Sequence, residues 1–402
     1  MVRKHRADLI LVVLTLVLMA LGLLTVFAVG PRVAQFENSQ SGSNFSESYF
    51  FLHHGVSVLL SIAAMIVASK IPYRVMDKLS LKIIGVGFFL CFLVFVWGKL
   101  GNPGGLVTCD EGACRAFRVP GLGMGFQPVE IVKVGVLFYI SWLIKERKKQ
   151  NLLKTRELWI PVGTIVVLTG LLVAFGLKDF GSTVVVFAMI CSMLFIGGVD
   201  LKQFAIGLGV LGALAVLMIV LSPHRIARIL NFGDGNYHQE NSLISLGTGG
   251  LFGVGMGNSI QATGYLPEAL SDSIIAIIGE VTGFVGAAGV VIIFAFMLVR
   301  MLSIAKRTSD SAQSLYVVGL AAWIFAHVII NLGGMLGLTP VKGITLPFLS
   351  YGGTSMLFVS FAFGVALQIS AWTSREIINE DSSSRRGQRR ARNAGYRRSQ
   401  RD

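Results

Sequence analysis

The sequence contains few charged residues. Only 14% of its 402 residues are Asp, Glu, Lys or Arg, whereas 53% are hydrophobic and the mean hydropathy is +0.71. A soluble protein of this length needs far more polar surface, so the composition excludes that class. It indicates a polytopic helical membrane protein that has no soluble domain of useful size.

Acidic residues are especially scarce, with 21 against 35 basic ones and a net charge of +14. Most of the basic residues fall in segments that the positive-inside rule assigns to the cytoplasm. We therefore interpret the excess charge as a topology signal rather than as evidence for nucleic acid, and we predict that both termini are cytoplasmic.

Cysteine is rare as well. Of the four cysteines, Cys91 and Cys191 lie in apolar runs and are predicted to pack there. Cys109 and Cys114 lie five residues apart in a predicted outer loop, where an oxidising exterior permits a disulfide. Two free thiols fit the sequence equally well, but the ligands of a zinc site are absent.

Long apolar runs are abundant. We predict an all-α fold of ten transmembrane helices, at 9–30, 50–69, 83–98, 127–144, 158–176, 182–198, 203–222, 273–299, 314–336 and 351–372. The first run is too long for a cleavable signal peptide and has no small-residue cleavage site, so it is interpreted as a retained anchor. No internal repeat of the kind common in transporters is evident.

Three regions are predicted along the chain: a cytoplasmic N-terminus at 1–8, a membrane domain at 9–372, and a basic, disordered cytoplasmic tail at 373–402. The tail suits anionic lipid, with docking of a cytoplasmic partner as the alternative.

Within the membrane domain, the outer loops 99–126 and 223–272 are long, and long loops usually carry function. The glycine density of the second loop indicates tight turns and close backbone approach. Its apolar part, Leu243–Val254, is a candidate for an interfacial or re-entrant segment.

Ionisable residues inside spans are candidates for function because they are costly to bury. Glu130 and Lys133 share a helix face, where they form either a salt bridge between helices or part of a substrate cavity. Asp179 opens the sixth span, where it either serves only to cap the helix or has a functional role as well. Glu280 is predicted to be a buried hydrogen-bonding partner, with a proton-relay role as the alternative.

Asp272 stands immediately before the apolar run Ile274–Ile278, at the predicted outer edge of the bilayer. A carboxylate there can meet the head group of a lipid-linked substrate as a general base, or it can cap the following helix. A sparse set of outer cations suits an anionic group such as a pyrophosphate, with lipid head groups as the alternative. These cations are Arg115, Arg118, Arg225, Arg228 and Lys342.

Several segments together resemble the SEDS (shape, elongation, division and sporulation) family of polytopic peptidoglycan glycosyltransferases. Their order and spacing match the family nearly end to end. They are Phe126-Gln-Pro-Val-Glu-Ile-Val-Lys133, Asp179-Phe-Gly-Ser-Thr-Val184, Gln239-Glu-Asn-Ser-Leu-Ile244, Gly249-Gly-Leu-Phe-Gly-Val-Gly-Met-Gly-Asn-Ser259, Tyr265-Leu-Pro-Glu-Ala269, Asp272, Ile277-Ile-Gly-Glu280 and Leu346-Pro-Phe-Leu-Ser-Tyr-Gly-Gly353. The form of residues 257–269 is more similar to the FtsW branch, which includes a sporulation relative, than to the RodA branch.

The chain departs from the family pattern at four places. Asp272 stands in Leu-Ser-Asp-Ser instead of His-Thr-Asp-Phe, and Leu177-Lys178 replaces Gln-Pro. Ala116 replaces a Trp, and Lys342 replaces a Thr. These departures concern substrate contacts more than the reacting acid, and they indicate a divergent lineage.

The resemblance implies polymerisation of lipid II into glycan strands at the outer face of the cytoplasmic membrane, with Asp272 as the base. Arg115 and Lys342 are the first candidates for cations, with Arg225 and Arg228 behind them. Further substrate contacts are expected from the remaining matched or loop positions: Arg118, Glu130, Lys133, Asp179, Gln239, Ser242, Glu268 and Ser350.

The partners that the resemblance implies are a class B penicillin-binding transpeptidase, other division proteins and membrane lipids, without nucleic acid. No cofactor is required by the sequence. A divalent cation, Mg or Mn, would suit the pyrophosphate, but no dedicated ligand cluster is visible. The alternatives are a lipid II flippase or transporter, an elongation polymerase of the RodA type, and a scaffold that only recruits a transpeptidase.

Overall fold

A computed structural model describes residues 7–42, 44–110, 113–118, 125–220, 237–339 and 343–372. The helices are α1 (Leu9–Ser41), α2 (Tyr49–Lys70), α3 (Tyr73–Lys99), α4 (Pro128–Lys149), α5 (Arg156–Leu168), α6 (Phe180–Gly197), α7 (Leu201–Val220), α8 (Tyr237–Gly249), α9 (Ile274–Arg307), α10 (Ser311–Met335) and α11 (Gly353–Ser370). Helix α5 continues directly as a π-helix, Thr169–Gly176.

The predicted all-α membrane class is confirmed. Among the described residues, eight helices are long and apolar enough to cross a membrane. Helix α4 lies at the predicted fourth span, and its charged residues make it less apolar, but most of its side chains are buried in the bundle. Helix α7 begins where the seventh span is predicted, and the predicted end of that span lies outside the described residues, as does the tail.

The beginning of α1 and the end of α11 lie at the same end of the bundle. The Asp8 carboxylate caps α1 by accepting from two backbone N–H groups, and it forms a 2.7 Å ion pair with Arg300 of α9. The backbone N–H of Asp8 donates to Ser370 at the end of α11. Both ends of the membrane domain therefore face one side, as an even number of crossings requires. We call the opposite side, where α4, α9 and α11 begin, the loop end.

Helix α9 is interrupted at Gly283, which has a φ of 75° that a residue with a side chain rarely adopts. The glycine-rich segment after α8 satisfies the freed backbone groups. Val254 and Gly255 donate to the carbonyls of Glu280 and Val281, at 2.9 and 3.0 Å, and Phe284 donates to Gly250. The close backbone approach predicted from the glycines is present here, although residues 237–249 form a regular helix.

Loop 99–126 contains a three-stranded antiparallel sheet, which the sequence did not indicate because its strands are short. The strands are β1 (Val107–Asp110), β2 (Ala113–Arg118) and β3 (Gly125–Phe126). Cys109 and Cys114 are direct partners in the β1–β2 register and form a disulfide. Of the two states that the sequence left open, the structure has the oxidised one.

Candidate active site

A cavity of about 830 Å³ opens at the loop end, where β2 meets the first turns of α4, α6 and α11 and the segment before α9. Ligand pockets typically have volumes of about 300–1,000 Å³, so a small saccharide head group fits. Seven of the residues predicted from sequence line it together: Arg115, Arg118, Glu130, Lys133, Asp179, Glu268 and Asp272.

The Asp272 side chain is half-buried, and a hydrogen bond to its main-chain oxygen holds the residue in place. Asn331 of α10 donates its side-chain amide to the main-chain oxygen of Asp272 at 2.7 Å. Helix α9 starts at Ile274 with Ser273 as its N-cap residue, and no side-chain hydrogen bond caps it. The alternative role of Asp272 as a helix cap is therefore not observed, and its carboxylate faces the cavity.

Burial raises the pKa of Asp272 to about 8. The negative charges of Glu268 and Asp179 add to this increase, whereas the positive charge of Arg115 opposes it. A carboxyl group with a pKa near the working pH is suited to general base catalysis, because it is partly ionised and still holds a proton strongly.

Arg115 lies close to this carboxylate. It extends from β2, and its guanidinium donates to the carbonyl of Lys178 at 3.3 Å. Gly343 marks the space between the two groups. A Cβ atom on this glycine would lie 3.0 Å from Oδ2 of Asp272 and 4.0 Å from Nη1 of Arg115. The arrangement leaves room for a ligand atom between a base and a cation.

The deep wall of the cavity carries a buried ion pair. Nζ of Lys133 lies 2.8 Å from Oε1 of Glu130, and both side chains are almost fully buried. Lys133 also approaches Nε2 of His327 at 3.5 Å and lies over the ring of Trp323. The other carboxylate oxygen of Glu130 has no hydrogen-bond partner among the described residues. The pair both joins α4 to α10 and lines the cavity, so the two roles considered from sequence coincide.

Asp179 is the N-cap of α6 and accepts a 2.9 Å hydrogen bond from the backbone N–H of Ser182. The predicted capping role is confirmed. Because one oxygen of a capping carboxylate stays free, Asp179 also adds negative charge to the cavity that it lines.

Glu268 lies at the exposed rim of the cavity in a left-handed backbone conformation with a φ of 49°. Its carboxylate accepts from the Ser271 hydroxyl at 2.6 Å, and its carbonyl accepts from the backbone N–H of Ser273. His238 of α8 bonds Ser273 at 2.7 Å, and burial lowers the pKa of this histidine. These contacts hold the short segment that carries Asp272.

Three predicted contacts lie away from the cavity. Ser242 is buried in α8 and donates to the carbonyl of His238, and Ser350 is buried and accepts from the backbone N–H of Leu346. Gln239 packs against Gly337. We do not carry these three forward as substrate contacts. Arg225, Arg228 and Lys342 lie outside the described residues.

Sequence reasoning missed His327 and Asn331, which are four residues apart and share a face of α10. Nδ1 of His327 donates to the Thr345 carbonyl at 2.8 Å, and Trp323 donates to Nε2. Polar residues at this spacing within an apolar span were the available signal, since an intramembrane polar face usually points to a cavity. The contribution of Gly343 could not be found from sequence, because it depends on two distant segments.

A dedicated metal site is not apparent. Within the described ranges, no three residues of the His, Cys, Asp and Glu types lie in a group that could hold a metal ion.

Glu280, for which a buried hydrogen-bonding role is predicted, accepts hydrogen bonds from Ser259, Ile260 and Gln261. It thereby holds the glycine-rich segment. That prediction is confirmed.

Comparison with known proteins gives consistent matches over almost the whole chain. The family model for FtsW, RodA and SpoVE, described as "Cell cycle protein", matches residues 8–375. The probable peptidoglycan glycosyltransferase FtsW of Coxiella burnetii is 34% identical over 372 residues, covering 89% of this chain and 95% of the relative. Stage V sporulation protein E of Bacillus subtilis is 32% identical over 388 residues, covering 92% and 99%.

Solved structures share the fold. A chain from a peptidoglycan synthase complex superposes with a TM-score of 0.70 at 21% identity, covering 90% of this chain and 97% of that one. The crystal structure of the rod shape determining protein RodA of Thermus thermophilus gives a TM-score of 0.64 at 22% identity, covering 90% and 96%. The resemblance found in the sequence is confirmed, and the chain belongs to the FtsW/RodA/SpoVE family of cell cycle proteins.

Proposed function

We propose that this protein is a peptidoglycan glycosyltransferase that polymerises lipid II at the outer face of the cytoplasmic membrane. The observation that carries the proposal is the half-buried Asp272 carboxyl group, with its pKa raised to about 8, beside the Arg115 guanidinium in a cavity at the loop end. The names of the relatives, which include peptidoglycan glycosyltransferases, support the reaction class.

In the proposed reaction, a sugar hydroxyl of the acceptor attacks the anomeric carbon of the donor. A bond forms between the acceptor oxygen and this carbon while the bond from the carbon to the pyrophosphate oxygen breaks. The proton of the hydroxyl passes to Asp272, and the electron pair leaves with the polyprenyl pyrophosphate. A single displacement of this kind inverts the anomeric configuration.

The other cavity residues are assigned supporting roles. Arg115 stabilises the charge that develops on the departing pyrophosphate, and Arg118 extends the positive surface along β2. Glu130 and Lys133 shape the deep wall, where paired charges can bond saccharide hydroxyls. Asp179 and Glu268 add negative charge that keeps the pKa of Asp272 high. No step in this account requires a metal ion.

The partner that we propose is a class B penicillin-binding transpeptidase, which would crosslink the new strands. One structural neighbour belongs to a peptidoglycan synthase complex that coordinates polymerization and crosslinking, which supports this proposal. The similarity to FtsW relatives favours a role in septal synthesis during cell division, and an elongation role of the RodA type is the alternative.

In the experiment that tests this function, lipid II is supplied to the purified full-length protein and its transpeptidase partner in detergent. The products are separated by size, and released polyprenyl pyrophosphate is measured. We expect glycan strands and one pyrophosphate lipid released for each bond formed. A flippase has no two compartments to connect in detergent, and a scaffold forms no bond. Absence of polymer with every transpeptidase partner tested would contradict the proposal.

A further inference from the structure

A second cavity, of about 480 Å³, lies beside the candidate active site on the other side of β2. Its apolar wall includes Phe95 of α3 with Leu171 and Phe175 of the π-helix. Two lysines, Lys99 at the end of α3 and Lys178 just after the π-helix, also line it. The cavity therefore combines hydrocarbon with two ammonium groups at the loop ends of neighbouring membrane helices.

The wall between the two cavities is thin, because residues adjacent in the chain line opposite sides. Cys114 lines the second cavity and Arg115 lines the first, and likewise Lys178 lines the second and Asp179 the first. The Arg115 guanidinium closes this wall by bonding the Lys178 carbonyl. The path from the proposed base, Asp272, to the second cavity therefore passes first Arg115 and then Lys178.

The chemistry of the second cavity suits an amphiphile with a phosphorylated head. Leu171 is 59% exposed and Phe175 is 36% exposed, and both belong to the π-helix. Neither Lys99 nor Lys178 forms an ion pair with another described residue, so both ammonium groups are available to an anion. Basic side chains at the boundary of an apolar groove attract phosphate while the groove receives the chain.

Lys178 stands at a backbone turn just after the π-helix. Its φ is 56°, a left-handed conformation that proline cannot adopt. This turn brings the Lys178 carbonyl to Arg115, and Lys178 also lines the second cavity.

We propose that the second cavity binds the phosphorylated head and the first apolar units of a polyprenyl pyrophosphate. The donor would then enter, and its pyrophosphate leaving group would depart, on the side of α3 and the π-helix. The acceptor hydroxyl would approach Asp272 from the first cavity, on the opposite side of Arg115. This inference rests on the proposed function, since it assigns the donor side of the same site.

The test measures binding of polyprenyl pyrophosphate to full-length protein by native mass spectrometry, with Asp272 in place. Lys99→Gln and Lys178→Asn remove the ammonium groups, and asparagine tolerates the left-handed conformation. Each should weaken binding about tenfold, as loss of a charge-assisted hydrogen bond does. The control, Lys306→Gln, removes an exposed charge at the opposite end of α9 and should leave binding unchanged.

Two further measurements separate the sources of affinity. Leu171→Trp fills the apolar wall and should weaken binding of the long-chain pyrophosphate but not of inorganic pyrophosphate. Phosphatidylglycerol should bind more weakly and respond less to the lysine substitutions. Unchanged pyrophosphate binding in folded lysine variants, or equal competition by phosphatidylglycerol, would overturn the proposal. Intact, lysine-dependent binding in a protein that forms no polymer would instead contradict the proposed function alone.

Discussion

Asn331 donates its side-chain amide both to the main-chain oxygen of Asp272, at 2.7 Å, and to that of Ile344, at 2.8 Å. One residue thereby joins the segment that carries the proposed base to the loop that contains Gly343. Asn331 belongs to α10, and most of the residues of this helix are buried. The position of the carboxylate is set by one of the most enclosed helices of the bundle.

Replacing Asn331 with alanine should lower the polymerisation rate. Both carbonyls lose their donor, which should destabilise the fold by about 1–3 kcal/mol, and a displacement of the base by about 1 Å can reduce the rate about 10²-fold. Polymerisation kinetics and thermal unfolding in detergent measure the two effects. Asn258→Ala is the matched control, because its amide also donates to a carbonyl but on an exposed loop. Equal rates for both variants would contradict the positioning role.

Gly343→Ala should reduce activity more than it reduces stability. The added methyl group would stand 3.0 Å from Oδ2 of Asp272 and 4.0 Å from Arg115, in the space proposed for the reacting atoms. We expect an increase in KM for lipid II and a lower kcat, with little change in Tm. Gly247→Ala is the control, because a Cβ atom there meets nothing within 4 Å. A fully active Gly343→Ala enzyme would show that the reaction occurs elsewhere.

The Glu130–Lys133 pair offers a comparison within one helix. Lys133→Met leaves a carboxylate buried without its cation, and breaking a buried pair in this way is destabilising by about 3–5 kcal/mol. Glu130→Gln combined with Lys133→Met should be much milder, because neither charge is then left unpaired. Lys149→Met breaks the Glu146–Lys149 pair, which has the same spacing on α4 but is exposed, and should change nothing measurable. Additive effects in the double variant would contradict the pairing.

The pH dependence of the rate should follow the Asp272 carboxyl group. Because the base must be ionised, the polymerisation rate should rise with pH through about 8 and then level off. Glu268→Gln removes a negative charge that raises this pKa, so the midpoint should move to lower pH and the rate at pH 7 should rise towards its plateau. A midpoint that Glu268→Gln leaves in place would show that another group controls the profile.

The raised pKa of Asp272 also predicts how the stability of the protein changes with pH. The pKa of Asp272 is raised in the folded state from an ordinary value of 3.8, so ionisation opposes folding between about pH 4 and pH 8. Asp272→Asn lacks this ionisation. Its Tm should therefore exceed that of the wild type by an amount that grows as the pH rises through this window. A difference in Tm that is constant with pH would contradict the assignment.

Much of the candidate site could be predicted from the sequence. Charged residues are few in this very apolar chain and are costly to bury, so each one is a candidate for function. Glu130 and Lys133 were recognisable as a pair from their spacing, and Asp179 from its place at the start of a span. Asp272 was recognisable from its position before an apolar run. In each case the evidence was local, within about one helical turn.

The parts that could not be predicted depend on contacts between distant segments. Asn331 is 59 residues from Asp272 in the chain, and Lys178 is 63 residues from Arg115, with α4 and α5 between them. The short strands of loop 99–126 had no alternating pattern long enough to be recognised. The interruption of α9 at Gly283 is stabilised by a glycine-rich segment about thirty residues earlier, as the backbone hydrogen bonds show.

The most direct test of the account is the polymerisation rate of Asp272→Asn, measured with lipid II beside the wild type at pH 8. Asparagine keeps the shape of the side chain but cannot accept the proton. We expect a rate lower by about 10²–10⁴-fold, with lipid II binding maintained and a Tm no lower than that of the wild type. A variant that polymerises at the wild-type rate while remaining folded would contradict the role of Asp272 as the base.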